Sequence, residues 1–179
     1  MSNDLIDRDI RKAQTLPSRF YTDDSSFAQI VAGFGECWHF AAHESQLAEN
    51  NVLPIMHMES LVGESMLLTR DDAIRCLSNV CTHRGMLVAT GACSASTLRC
   101  GYHGRTFGLD GSFRNMPEFE EVESFPTRSD DLPSFDLKRW KGLLFAGNNP
   151  SRFSKCLEEL EARIGWMPIE KFEHDPSRH

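Results

Sequence analysis

The stretch from Cys81 to Gly108, CTHRGMLVATGACSASTLRCGYHGRTFG, contains two cysteine–histidine pairs: Cys81 with His83, two residues apart, and Cys100 with His103, three apart. Sixteen residues separate the pairs. Glycine accompanies each, in Cys81-Thr82-His83-Arg84-Gly85 and in Cys100-Gly101-Tyr102-His103-Gly104. The repeat means that each loop offers one sulfur and one imidazole nitrogen. Glycine lets the backbone turn sharply and approach a bound group where a Cβ would collide.

Two thiolates and two imidazoles are what a [2Fe–2S] centre with unlike irons requires, sulfur on one iron and nitrogen on the other. Cys₂His₂ is also a zinc set. Zinc modules, however, usually pair cysteine with cysteine and histidine with histidine, as C-x₂₋₄-C and H-x₃₋₅-H. Mixed pairs suit a binuclear centre better than one tetrahedral ion. Six cysteines and seven histidines in 179 residues produce some close pairs by accident, but two mixed pairs beside glycine in one short stretch are much harder to obtain that way. Zinc and coincidence remain open at this point.

On these residues the chain resembles the Rieske domain of ring-hydroxylating and related Rieske non-haem iron oxygenases. The similarity runs beyond the loops, from Trp38-His39-Phe40-Ala41-Ala42-His43-Glu44-Ser45 to roughly Pro176. It implies one Rieske-type [2Fe–2S] cluster per chain, with Cys81 and Cys100 on the buried iron and His83 and His103 on the outer one. It also implies electron transfer, from a ferredoxin or flavin reductase as donor to a mononuclear-iron catalytic domain as acceptor. By the same resemblance the chain is the amino-terminal part of an oxygenase large (α) subunit, ending where the catalytic domain would start, and related full-length subunits often form homotrimers.

Respiratory Rieske proteins carry an extra cysteine in each loop, joined as a disulfide; the matching positions here are Met86 and Tyr102. They also place a serine after the second His-Gly, which donates to a cluster sulfur, where this chain has Arg105. Fewer hydrogen bonds to sulfur leave a centre toward the low end of the Rieske range, about −150 mV. Many oxygenases have tryptophan at that position, so Arg105 departs from their pattern too.

With 179 residues and 40% hydrophobic content the chain can bury one real core. A net charge of −7 with no basic stripe argues against nucleic acid. The start, MSNDLIDRDIRK, has no apolar signal core, and no run approaches the roughly 18 apolar residues needed to span a bilayer. The expectation is a cytoplasmic protein without a membrane partner.

The fold expected is mainly β, a Rieske-type fold of small packed antiparallel sheets with N-terminal and C-terminal helical extensions. Residues 1–37 form the first extension, 38–147 the cluster domain, and 148–179 a helix with the start of a linker. Asp24-Ser25 can cap a helix with Phe27, Ile30, Val31 and Phe34 on one face. Strands are expected at 38–40, 52–58, 64–69, 74–80, 97–99, 105–109, 112–114, 135–140 and 142–146, with Asp110-Gly111 as a hairpin turn. A last helix runs from about Phe153 to Ile164, opened by Pro150-Ser151.

Outside the loops, Cys37, Cys76, Cys93 and Cys156 share no regular spacing and read as packing residues. His39, His43 and His57 read as ordinary strand histidines, and Glu118, Glu120, Glu121 and Glu123 as a solvated loop face. Tyr102 is expected to shield one side of the cluster or to donate to a sulfur, with Phe107 and Leu109 packing beneath the second loop. Glu170, Glu173, His174 and His179 imitate the two-histidine, one-carboxylate set of mononuclear iron, but Pro176 between the histidines breaks the helix such a pair usually occupies. They are read as tail residues. Three functions stay in contention: an oxygenase α-subunit Rieske domain, a free-standing Rieske ferredoxin shuttle, and a zinc-stabilised interaction module. The helical extensions favour the first.

Overall fold

The structure, a computed structural model, describes residues 6–59, 63–147, 150–175 and 177. The strands are β1 (His39–His43), β2 (Val52–Ile55), β3 (Met66–Arg70), β4 (Ile74–Ser78), β5 (Leu98–Arg99), β6 (Thr106–Phe107), β7 (Phe113–Asn115), β8 (Ser134–Trp140) and β9 (Leu143–Gly147). Six join in one sheet of order β1-β9-β8-β4-β3-β2, and β5-β6-β7 form a second. All pairings are antiparallel. This is the mainly β architecture expected.

The alternation of side chains along β3 and β4 creates two cores. Successive residues of a strand point to opposite faces. Met66, Leu68 and Cys76 therefore join Ala41, Ala42, Leu47, Ile55, Leu144 and Ala146. Leu67 and Leu77, one residue out of phase, join Val52, Leu98, Phe107, Leu109 and Leu132, together with Cys81 and Cys100. The second core is the floor under the two cysteine loops. It needs a strand that is apolar on both faces, which is why β3 reads Met-Leu-Leu rather than alternating with polar residues. Pro54 is tolerated in β2 because that strand lies at the sheet edge, where one row of N–H groups has no partner strand.

Several boundaries differ from expectation. The strand from Val52 stops at Ile55, where a 3₁₀ turn, Met56–Met58, begins. Strand β4 ends at Ser78; the Asn79 N–H still reaches the Ser65 carbonyl at 2.8 Å, and Val80 bridges to Leu87 across the first loop. Asp110-Gly111 does turn β6 into β7, with Gly111 at φ +84° and its N–H on the Gly108 carbonyl at 3.0 Å.

A short helix α1 (Arg19–Thr22), absent from the expected pattern, precedes α2 (Asp24–Gly35). The cap of α2 is Asp23, not Asp24-Ser25: its carboxylate accepts the Ser26 N–H at 2.9 Å. The apolar face of α2 is not buried, and Phe27 is 66% exposed. Helical spacing identifies a face, not what covers it. The last helix, α3 (Pro150–Ile164), begins three residues earlier than expected; Phe153 is buried against Trp38 and Phe145. Cys76 is buried in β4, but Cys93 and Cys156 are exposed, which corrects their reading as packing residues. No helix among the described residues is long and apolar enough to cross a membrane.

Candidate metal centre

The two loops have one backbone. In the first, the Cys81 N–H donates to the Met86 carbonyl at 2.8 Å, and the Gly85 N–H donates back to the Cys81 carbonyl at 3.0 Å. In the second, the Cys100 N–H donates to the Arg105 carbonyl at 2.8 Å, and the Gly104 N–H returns to the Cys100 carbonyl at 3.1 Å. Gly85 and Gly104 both close the turn at positive φ, +73° and +75°. Side chains with a Cβ pay a steric penalty there, which is the reason for glycine at both positions. The loops leave the same scaffold, one after β4 and the other between β5 and β6.

This backbone brings the four candidate ligands together. Cys81 and Cys100 are each 3% exposed and share the second core. The rings of His83 and His103 meet edge to face, 4.8 Å between centroids. His103 is exposed and Tyr102 stacks on it at 3.8 Å, while His83 is partly buried with Phe119 against its edge at 5.8 Å. Sulfur therefore lies inside and nitrogen outside. Among the described residues no three metal-binding side chains gather around one point as for a single ion. Two donors to each of two metals is the division a [2Fe–2S] centre uses.

Burial raises the Cys81 thiol above its ordinary value of 9.0, and the neighbouring Cys100 adds to the effect. Burial also lowers the His83 imidazole from 6.5, helped by the charges of His103, Arg105 and Arg84. Without metal, both groups are held neutral at pH 7. A neutral imidazole can bind metal as it stands, whereas a thiol has to lose its proton to do so.

Several supporting residues had no signal of their own in the sequence. Asn79 is fully buried; its side-chain amide donates to the Ala89 carbonyl and accepts the Ala89 N–H, both at 2.8 Å. It imitates a strand partner and pins the chain that leaves the first loop. Asn51 does the same for Ala95, ahead of the second loop, at 2.9 and 2.8 Å. Thr82 donates to the Asp130 carbonyl at 2.8 Å, and Phe119, Phe125 and Phe113 form a tilted aromatic row leading away from His83.

The remaining candidates lie elsewhere. His43 is buried, with its ring nitrogens 2.9 Å from Ser45 Oγ and 3.2 Å from the Ile169 carbonyl. The rings of His39 and His57 reach the carbonyls of Phe34 and Phe40. The His174 N–H donates to Ser45 Oγ at 3.2 Å, so the carboxy-terminal segment packs beside β1 and not on the cysteine loops. Pro176 and His179 fall outside the described residues. Phe107 and Leu109 are buried beneath the loops as expected.

Residues 37–126, half of the chain, match the family of the Rieske [2Fe-2S] domain. The carnitine monooxygenase oxygenase subunit of Escherichia coli (strain K12) is 32% identical over 148 residues, covering 80% of this chain and 39% of that protein. The chlorobenzene dioxygenase subunit alpha of Cupriavidus sp. (strain PS12) is 31% identical over 153 residues, 77% of this chain and 31% of the relative. Among solved structures, a quaternary ammonium Rieske monooxygenase bound to an inhibitor superposes with a TM-score of 0.74 at 28% identity, over 87% of this chain and 46% of the other. The chain thus spans about two fifths, or less, of the length of these two curated relatives.

Proposed function

The chain belongs to the Rieske [2Fe-2S] domain family, and on that premise we propose that it is the electron-relay part of a Rieske oxygenase α subunit, with Cys81 and Cys100 on one iron and His83 and His103 on the other. The observation that carries this reading is the edge-to-face contact of His83 with His103, 4.8 Å apart, over two buried cysteines. When bound, the Rieske-type [2Fe–2S] cluster supplies a one-electron carrier. The chain's residues do the rest. The apolar core keeps water from the cysteines, and the glycine turns bring both loops to the same point. His103, exposed beneath Tyr102, presents its ring to a partner.

Electrons enter from a ferredoxin or flavin reductase and leave to a mononuclear-iron catalytic domain, in an assembly that is a homotrimer when full-length. The relay unit is residues 38–147, with 1–37 and 148–179 as extensions that join it to neighbouring parts. Support for a common relay comes from the relatives themselves: their names place them on carnitine and on chlorobenzene, two chemically unlike substrates. A segment shared by both serves a step that does not depend on the substrate. The free-standing ferredoxin shuttle remains the second reading, and α2 and α3 count against it because a shuttle needs little beyond the cluster fold.

The test is anaerobic reconstitution with iron and sulfide, followed by metal analysis and electron paramagnetic resonance of the reduced protein. The expected result is two irons and two sulfides per chain with a Rieske-type signal. One zinc and no iron would replace this reading with the interaction module.

A further inference from the structure

Arg105 occupies in the second loop the place that Met86 occupies in the first, since the carbonyl of each receives the N–H of its loop's cysteine. Their side chains go opposite ways. Met86 is 46% exposed, whereas Arg105 is 3% exposed. The Arg105 Nη1 donates to Thr82 Oγ1 at 2.8 Å and pairs with Asp130 Oδ1 at 3.2 Å. Its guanidinium lies 5.3 and 5.5 Å from the ring centres of Phe113 and Phe125. Thr82 donates in turn to the Asp130 carbonyl. One side chain of the second loop thus holds the first loop and the 125–130 segment together, where no disulfide can.

Holding alone does not explain an arginine. A buried ion pair is often no more stabilising than apolar residues of similar volume, because desolvation offsets its attraction. This arginine also keeps Nε buried with no hydrogen-bond partner, and a buried donor left unpaired is costly. Both costs have a reason if a negative group belongs nearby.

We propose that Arg105 is a positioning residue for the cluster, locking the two ligand loops together and holding a fixed positive charge, with its Nε–H free to donate, against the group those loops bind. This rests on the proposed ligation by Cys81, His83, Cys100 and His103. Reduction adds negative charge, so a fixed cation and an extra donor stabilise the reduced state and raise the potential. Arg105 in this way offsets the missing serine hydroxyl. Its charge also contributes to the lowering of His83 and acts on Cys81, which places it within electrostatic range of the first loop as well as on the second.

The experiment measures midpoint potential and iron retention on the cluster-loaded chain for Arg105→Met, Arg105→Lys and Asp130→Asn. Arg105→Met should lower the reduction equilibrium constant about tenfold, about 59 mV for one electron, the order expected for one charge at an effective dielectric of about 20. It should also lose iron faster. Arg105→Lys should keep the potential near that of the parent while sharing the faster loss. Asp130→Asn removes the opposing charge and should shift the potential upward. A role in folding alone would change retention in all three and move the potential in none, and that pattern overturns the proposal. If Arg105→Met does not load, the direction of the Asp130→Asn shift decides. A parent protein without a [2Fe–2S] signal would instead sink the ligation on which the inference rests.

Discussion

In the first cysteine–histidine loop His83 is partly buried against Phe119 and the fifth residue after the cysteine, Met86, points to solvent; in the second His103 lies open under Tyr102 and the fifth residue after the cysteine, Arg105, is buried. Yet the backbone hydrogen bonds of the two loops agree to within 0.1 Å, and their glycines to within 2° in φ. The repeated backbone fixes where each cysteine sits. The side chains around it decide what each histidine meets and which loop carries the charge. A two-loop centre can therefore be symmetric as a clamp and asymmetric as an electrical device.

The braces beside the loops separate the two most strongly. Asn79 and Asn51 make the same pair of side-chain amide hydrogen bonds, to the backbone of Ala89 and of Ala95, but Asn79 is fully buried and Asn51 only partly. Removing a buried partner leaves donor and acceptor unsatisfied, whereas water can replace a half-exposed one. Asn79→Ala should destabilise the chain by about 2–3 kcal/mol and Asn51→Ala by about 1 kcal/mol, read from urea unfolding at constant slope. Equal losses would mean that burial does not distinguish the braces.

The glycines test the symmetry itself. A Cβ at Gly85 meets nothing within 4 Å, and at Gly104 it meets Arg99 and Pro117 only at ordinary contact distance, 3.4 Å. What remains is the left-handed backbone, which costs about 1–2 kcal/mol for a residue with a Cβ. Gly85→Ala and Gly104→Ala should therefore lose stability equally, about 1 kcal/mol each. A large difference in their unfolding midpoints would break the equivalence of the turns.

How much of this was legible beforehand depends on how local each feature is. The four candidate ligands, the glycines and the Asp110-Gly111 turn are written within a few residues of one another, and spacing alone announces them. The double phase of β3 and β4, which builds one core for the sheet and another for the cysteines, follows from Met66-Leu67-Leu68 and Cys76-Leu77 once both strands are paired. Arg105 was visible as a departure, but its partner Asp130 is 25 residues away, and nothing in the sequence joins them. The same limit explains Asn79 with Ala89, Thr82 with Asp130, and the face of α2 that a helical pattern marked as apolar without naming a cover.

The smallest effect lies within the first loop, where two shifts run in opposite directions. In the metal-free chain burial and then Cys100 hold the Cys81 thiol above 9.0, while burial and then His103, Arg105 and Arg84 hold His83 below 6.5. For Cys81 the folded value exceeds the unfolded one. Its contribution is therefore complete below about pH 9 and is lost as pH rises and the unfolded chain ionises. For His83 the folded value is the lower. Its contribution is complete above about pH 6.5 and is lost as pH falls, because the unfolded chain then binds the proton the folded one refuses. Melting temperature of the metal-free chain should accordingly hold level between these limits and fall on both sides. Cys81→Ala should shrink only the alkaline limb, part of which remains because burial also pushes the Cys76 thiol up to about 12, and His83→Gln should flatten only the limb just below pH 6.5. An alkaline limb that Cys81→Ala leaves untouched would mean that the thiol ionises as freely in the folded loop as in the open chain, and the sulfur-inside, nitrogen-outside contrast would lose its electrostatic half.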